Sequence, residues 1–190
     1  MKTKDEQKYQ ALLQATLDLV YETGLTGLKI SHIVKRAGLG TGTFYVYFES
    51  KKALLHELYR HTKQESLHYL FKEYDEKLPF RVGFQKIILH YIQYRTEHEK
   101  EYFFMEQFTR SDLYKEVPQD FVQETSRPLL AILERGKAEQ ILKPYDNLIL
   151  MSVILGIVKE VILQHIKHSI PLDEQRKLQI VTLCWDSIKY

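Results

Sequence analysis

The fifteen residues Ala37–Lys51, AGLGTGTFYVYFESK, constrain this chain more than any other stretch. They close one helically periodic segment and open another, with Gly38 and Gly40 between them. A helix, a glycine turn and a short second helix is the arrangement that sets one helix end into the major groove of duplex DNA. Thr, Tyr and Lys cluster on what would be the outer face. Their hydroxyls and ammonium groups can donate to phosphate oxygens, and threonine methyls can touch thymine. A phosphate-cradling glycine loop is the competing reading. It fails because both nucleotide-loop fingerprints need a preceding β-strand and the preceding segment has helical period; no Gly-Lys-Ser/Thr ending is present either.

The flanking pattern is helical throughout. Leu13, Leu17, Val20 and Tyr21 fall on one helix face and Gly24 supplies a stop. Ile30, Ile33, Val34 and Ala37 do the same for a second helix, which Gly38 ends. A third, roughly 41–47, docks Phe44 and Phe48 on the second and leaves Thr41, Gly42, Thr43, Tyr45, Val46 and Tyr47 partly outward. Ser50 caps a long fourth helix, with Lys51 and Lys52 beside its free N–H groups, a natural place for phosphate. Pro79, Pro118, Pro144 and Pro171 punctuate the C-terminal two thirds of the chain. The spacing predicts about nine helices, with Pro128 kinking or splitting the seventh. There is no repeat and no alternating strand pattern.

Composition sharpens this. The net charge of +2 divides unevenly: residues 1–56 hold 8 Lys+Arg against 5 Asp+Glu, and the remaining 134 hold 19 against 20. The positive excess therefore lies beside the glycine turn, where an anionic partner would bind. Cys184 is the single cysteine, so no disulfide forms within one chain. The N-terminus MKTKDEQKYQ lacks the apolar core of a signal peptide. The apolar run Leu148–Val158 ends at Lys159 and Glu160, too short to span a bilayer. The expectation is a cytoplasmic bacterial protein, associated with the nucleoid, that makes no membrane contact.

Residues 12–58 resemble the DNA-binding domain of the tetracycline-repressor (TetR) family of bacterial regulators. The resemblance lies in Ala37-Gly38-Leu39-Gly40, Gly42-Thr43-Phe44-Tyr45, Phe48 and Ser50-Lys51. It implies an all-α fold: a three-helix DNA-binding domain at 1–50, joined by a long fourth helix to an effector-binding and dimerisation domain at 51–190. It further implies that Thr43, Tyr45, Tyr47 and Lys51 hold phosphates, while Ser31, Thr41, Gly42 and Val46 lie nearest base edges. Two departures stand out. Gly40 replaces the family's usual capping Ser, and Lys29 replaces its usual Thr, from where it can still reach a phosphate. The third helix holds no Arg, Lys, Asn or Gln, so bidentate base readout from it is excluded. Thymine methyls, backbone contacts and DNA shape must carry specificity.

The rest of the chain offers two further sites. Residues 80–114 are dense in aromatics, and the resemblance turns Phe84, Ile88, Tyr91, Phe104, Met105 and Phe108 into candidates for contacting a small apolar or aromatic effector. The eighth helix is apolar nearly all round, so it is buried on more than one side. Ile154 and Val158 on it, with Leu178, Val181 and Trp185 on the ninth, are the expected homodimer contacts. His165 and His168 lack the further ligands that a metal needs, and no cofactor is expected. No nucleophile elbow or paired carboxylates point to an enzyme. Cys184 reads as a small core residue ahead of a redox sensor. The expectation is a repressor that leaves a near-palindromic double-stranded DNA operator when an effector binds. The alternative is a helical ligand-binding or scaffold protein without physiological DNA binding.

Overall fold

The computed structural model describes residues 4–190, and among them there are nine α-helices and one 3-10 turn. The helices are α1 Lys4–Gly27, α2 Ile30–Arg36, α3 Thr41–Tyr47, α4 Lys51–Phe71, α5 Phe80–Glu97, α6 Glu99–Thr109, α7 Gln119–Ala138, α8 Asn147–His168 and α9 Glu174–Ile188; the 3-10 turn is Asp112–Glu116. The all-helical expectation holds.

Local chemistry sets the boundaries. Gly24, at φ 72°, interrupts the helical backbone of α1, a conformation side chains resist. Gly38, at φ 68°, turns the chain after α2. The Ser50 hydroxyl accepts the Ala53 N–H at 3.1 Å. Asp146 and Asp173 cap α8 and α9, accepting from the N–H groups of Leu148 (2.7 Å) and Arg176 (2.9 Å). The predicted split at Pro128 does not occur, and α7 is one helix. Proline removes a single N–H, so the carbonyl of Glu124, four residues earlier, loses one donor while the turns on either side stay bonded.

Packing divides the chain into two compact units, the first holding the residues up to 65 and 98–119, the second 66–97 and 120–190. In the first, α1 packs on α2 and α6. Leu12, Val20, Ile33, Phe44, Leu54, Phe104 and Phe108 are its sealed core. Replacing a fully buried Phe44 by Ala would cost about 3–5 kcal/mol. The first unit is thus discontinuous in sequence: α6 rejoins the helices of the glycine turn, while α5 belongs to the other unit.

In the second unit α5, α8 and α9 pack on one another. Phe80, Phe84, Ile88 and Ile92 of α5 meet Leu150, Ile154, Val158 and Ile162 of α8 and Val181, Cys184 and Ile188 of α9 in one core. An isolated antiparallel bridge pairs Leu142 with Lys189, tying the end of the chain to the segment before α8. By length and composition α8 would be able to cross a membrane, which corrects the expectation drawn from Leu148–Val158. The helix continues past Lys159 and Glu160 into Val161, Ile162, Leu163 and Ile166. Its row Leu150, Ile154, Val158, Ile162 is nevertheless buried in protein.

Candidate nucleic-acid interface

α3 is held by one face and free on the other. Phe44 and Phe48 are buried, their rings 5.8 Å apart, while Val46 is 77% exposed and Tyr45 55% exposed. Thr41, Gly42, Ser31 and Lys29 are exposed as well. Large apolar side chains left outward at the tip of a helix are what a partner surface requires. Gly42 adds an independent sign. A Cβ built there meets nothing within 4 Å, so the protein's own packing does not require glycine at this position. A glycine inside a helix costs stability relative to alanine, and close approach of another backbone is one reason to keep it.

The N-termini of α2 and α3 carry no side-chain cap, with Lys29 and Gly40 as extended N-cap residues. The cap that the resemblance expects at position 40 is absent, and Thr41 does not replace it.

Two of the expected phosphate contacts already have protein partners. Lys51 donates from Nζ to the Leu28 carbonyl at 2.9 Å, which ties the start of α4 to the loop before α2. The Tyr47 hydroxyl bonds to the Asp5 carboxylate at 2.9 Å. Burial, with that bond second, raises the Tyr47 phenol above its ordinary pKa, so it stays a donor. Thr43 is half-buried. The surface shared by Lys29, Ser31, Thr41, Gly42, Tyr45 and Val46 is thus open, with Thr43, Tyr47 and Lys51 at its edge.

Sequence reading overlooked what anchors this surface. Tyr9 stacks on Phe48 with centroids 5.5 Å apart and donates to Glu57 at 2.7 Å. It lies one turn ahead of Leu12 and Leu13, so the same period would have found it. Gln107 of α6 accepts the Leu25 N–H at 3.0 Å, next to the break at Gly24. Lys100 reaches Asp18 at 2.6 Å and Tyr21 reaches Glu99 at 2.7 Å. No local signal announces contacts across some 80 residues. Behind the start of α4 a cleft of about 450 Å³ is lined by residues including Lys52, His56, Glu57 and Glu116. Within it Lys52 pairs with Glu116, and Glu57 accepts from the Tyr9 hydroxyl.

The other candidate residues divide between the units. Phe84 and Ile88 are in the core of the second unit and Tyr91 packs against it, whereas Phe104 and Phe108 are fully buried in the first and Met105 is half-buried there. Of the expected dimer contacts, Ile154, Val158 and Val181 face the protomer's own core, Trp185 packs against that core, and only Leu178 is exposed. A helix apolar all round does not reveal which side its own domain takes. The outward apolar residues are Leu148, Ile149, Val153, Leu163 and Ile166 on α8, with Leu178 and Leu183 on α9.

Comparison with known proteins bears on the whole chain. Residues 12–58 match the family described as bacterial regulatory proteins, tetR family. Residues 79–189 match the tetracyclin repressor-like C-terminal domain. The uncharacterized regulator YvdT of Bacillus subtilis is 52% identical over 48 residues, a match spanning 25% of this chain and 25% of that protein. YhgD, another uncharacterized regulator of Bacillus subtilis, is 21% identical over 168 residues, 86% of this chain and 87% of its own length. A TetR family transcription regulator from Marinobacter aquaeolei VT8 has the same fold. It gives a TM-score of 0.90 at 20% identity and covers 100% of this chain and 99% of its own.

Proposed function

Because this chain belongs to the TetR family of bacterial regulatory proteins, we propose that it is a cytoplasmic transcriptional regulator that binds duplex DNA as a homodimer through α2 and α3. The observation that carries the reading is the outer face of α3, where Tyr45 and Val46 stand exposed beside a Gly42 that packing leaves free. Base contact would come from Val46, Thr41, Ser31 and the Gly42 backbone. Lys29, Thr43, Tyr45, Tyr47 and Lys51 would hold phosphates, Lys51 with the ammonium hydrogens not given to Leu28. With no Arg, Lys, Asn or Gln on α3, thymine methyls and groove shape carry the discrimination.

The second copy docks on the outer faces of α8 and α9. Leu148 is 75% and Leu183 is 58% exposed, and Ser152 and Gly156 between the outward apolar residues let another helix approach closely. A two-fold dimer sets two α3 helices into successive major grooves, about 34–36 Å apart, and calls for a near-palindromic site.

The regulator is a repressor released by a small apolar or aromatic effector. Phe84, Ile88 and Tyr91 in the second unit and, separately, Phe104, Met105 and Phe108 in the first are two candidate places for it. Most of these side chains are packed, so a ligand reaching them must reorganise a core, and that couples binding to conformation. A preference of about 2.7 kcal/mol for the non-binding state gives a hundredfold loss of DNA affinity.

Selection of bound duplexes from a random pool tests the reading. A recovered near-palindrome, bound by a dimer with affinity that falls steeply with salt, is expected. Failure to retain any duplex at low salt would leave the alternative, a helical binding or scaffold protein. Apolar and aromatic compounds titrated against the recovered complex, with Phe104→Ala and Tyr91→Ala beside the wild type, test the effector site.

A further inference from the structure

Tyr47 closes α3, and its phenol has one hydrogen to give. That hydrogen goes to Asp5, whose Oδ1 lies 2.9 Å and whose backbone oxygen lies 3.2 Å from the Tyr47 hydroxyl. A phosphate oxygen is an acceptor only, and so is an ionised carboxylate. Tyr47 is therefore unable to donate to a phosphate while it holds Asp5.

Asp5 is not there by chance of a loose end. It lies in the first turn of α1, and Tyr9, one turn further on, is fastened to the same place. The Tyr9 ring packs edge-on to Tyr47 at 6.2 Å and stacks on Phe48 at 5.5 Å, while its hydroxyl donates to Glu57 at 2.7 Å. Two phenol–carboxylate bonds thus pin the start of α1 against the end of α3 and the start of α4. They fix a negative charge at the edge of the surface that is to receive phosphates.

We infer that Asp5 is a built-in competitor for the phosphate that Tyr47 would hold, so that the first turn of α1 tunes DNA affinity. The inference rests on the reading of α2 and α3 as a DNA-binding surface. Binding then includes an exchange: the Tyr47–Asp5 bond breaks, a Tyr47–phosphate bond forms, and Asp5 is left near the duplex as a like charge. Its repulsion is screened by salt, so the competitor acts most strongly at low ionic strength.

The test is a double-mutant cycle on the full-length dimer. The probes are a duplex recovered by selection and a mixed-sequence duplex, each at two salt concentrations. Asp5→Ala should tighten binding about threefold to tenfold, and Asp5→Asn, which keeps an acceptor without the charge, should gain less. In a Tyr47→Phe background the Asp5→Ala gain should fall to less than about half, because no hydroxyl remains to be released and only the salt-screened charge effect is left. A merely structural role for Asp5 would not tighten binding. If Asp5→Ala weakens binding, Asp5 orients Tyr47 and the inference is overturned. The same holds if Asp5→Ala leaves affinity unchanged, or if its full gain survives in Tyr47→Phe and is charge alone. If neither wild type nor Asp5→Ala binds either duplex, the DNA-binding reading falls and takes the inference with it.

Discussion

Replacing Gly42 by alanine separates what α3 needs for folding from what it needs for binding. A Cβ at this position meets no atom within 4 Å, so the added methyl brings no clash within the protein. Glycine inside a helix costs about 0.5–1 kcal/mol relative to alanine. Position 42 is the second of a seven-residue helix, so the lower end, about 0.5 kcal/mol, is the sensible figure. For a chain of 190 residues that raises the melting temperature by about 1–2 °C. Binding should move the other way. If a DNA backbone or base edge lies against Gly42, the methyl overfills the contact at about 1–3 kcal/mol. That is a loss of about fivefold to 150-fold for each α3 that engages. Calorimetry reads the first effect and fluorescence anisotropy on a labelled duplex reads the second. Gly42→Ala that melts higher and binds within twofold of wild type would refute the close approach. A lower melting temperature would refute the claim that the site is open.

Other perturbations are set by burial. Val153→Glu, on the outer face of α8, should yield a folded monomer by sedimentation, whereas Ile154→Glu, one residue on and buried at 5% exposure, should unfold or precipitate. Gly136→Ala should destabilise by about 1–3 kcal/mol, read as a lower melting temperature, because its Cβ would fall 2.6 Å from Leu142 and Phe80 side-chain atoms. Burial pushes the Cys184 thiol up to about 11. It should therefore resist a thiol reagent at pH 8 until denaturant is added, and fast modification of native protein would show that α9 opens.

How much of the fold and the binding surface is legible in the sequence depends on how local the cause is. The turn at Gly38, the short α3, the Ser50, Asp146 and Asp173 caps and the extent of α8 and α9 are set by residues within a turn of where they act. Backbone dihedrals and orphan N–H groups are satisfied by near neighbours. Pro128 does not split α7, because a proline takes away one N–H and the turns on either side keep their own bonds. The outward set on α3 is equally legible, since Phe44 and Phe48, four residues apart, fix which face docks.

Tertiary structure alone decided the rest. An amphipathic stripe says that a face is buried and leaves open what it is buried against. Hence α6 joins the first unit through Gln107, Lys100 and Glu99, and the aromatic candidates Phe84 and Phe104 end up in different cores. On α8 apolar residues lie on nearly every side, so the pattern marks its inner face only weakly; the packing of α5 and α9 selects Leu150, Ile154, Val158 and Ile162 as inner and leaves Val153 and Leu163 outside. The bond between Asp5 and Tyr47 joins residues 42 apart on the chain, and only the folded chain brings that carboxylate to the hydroxyl.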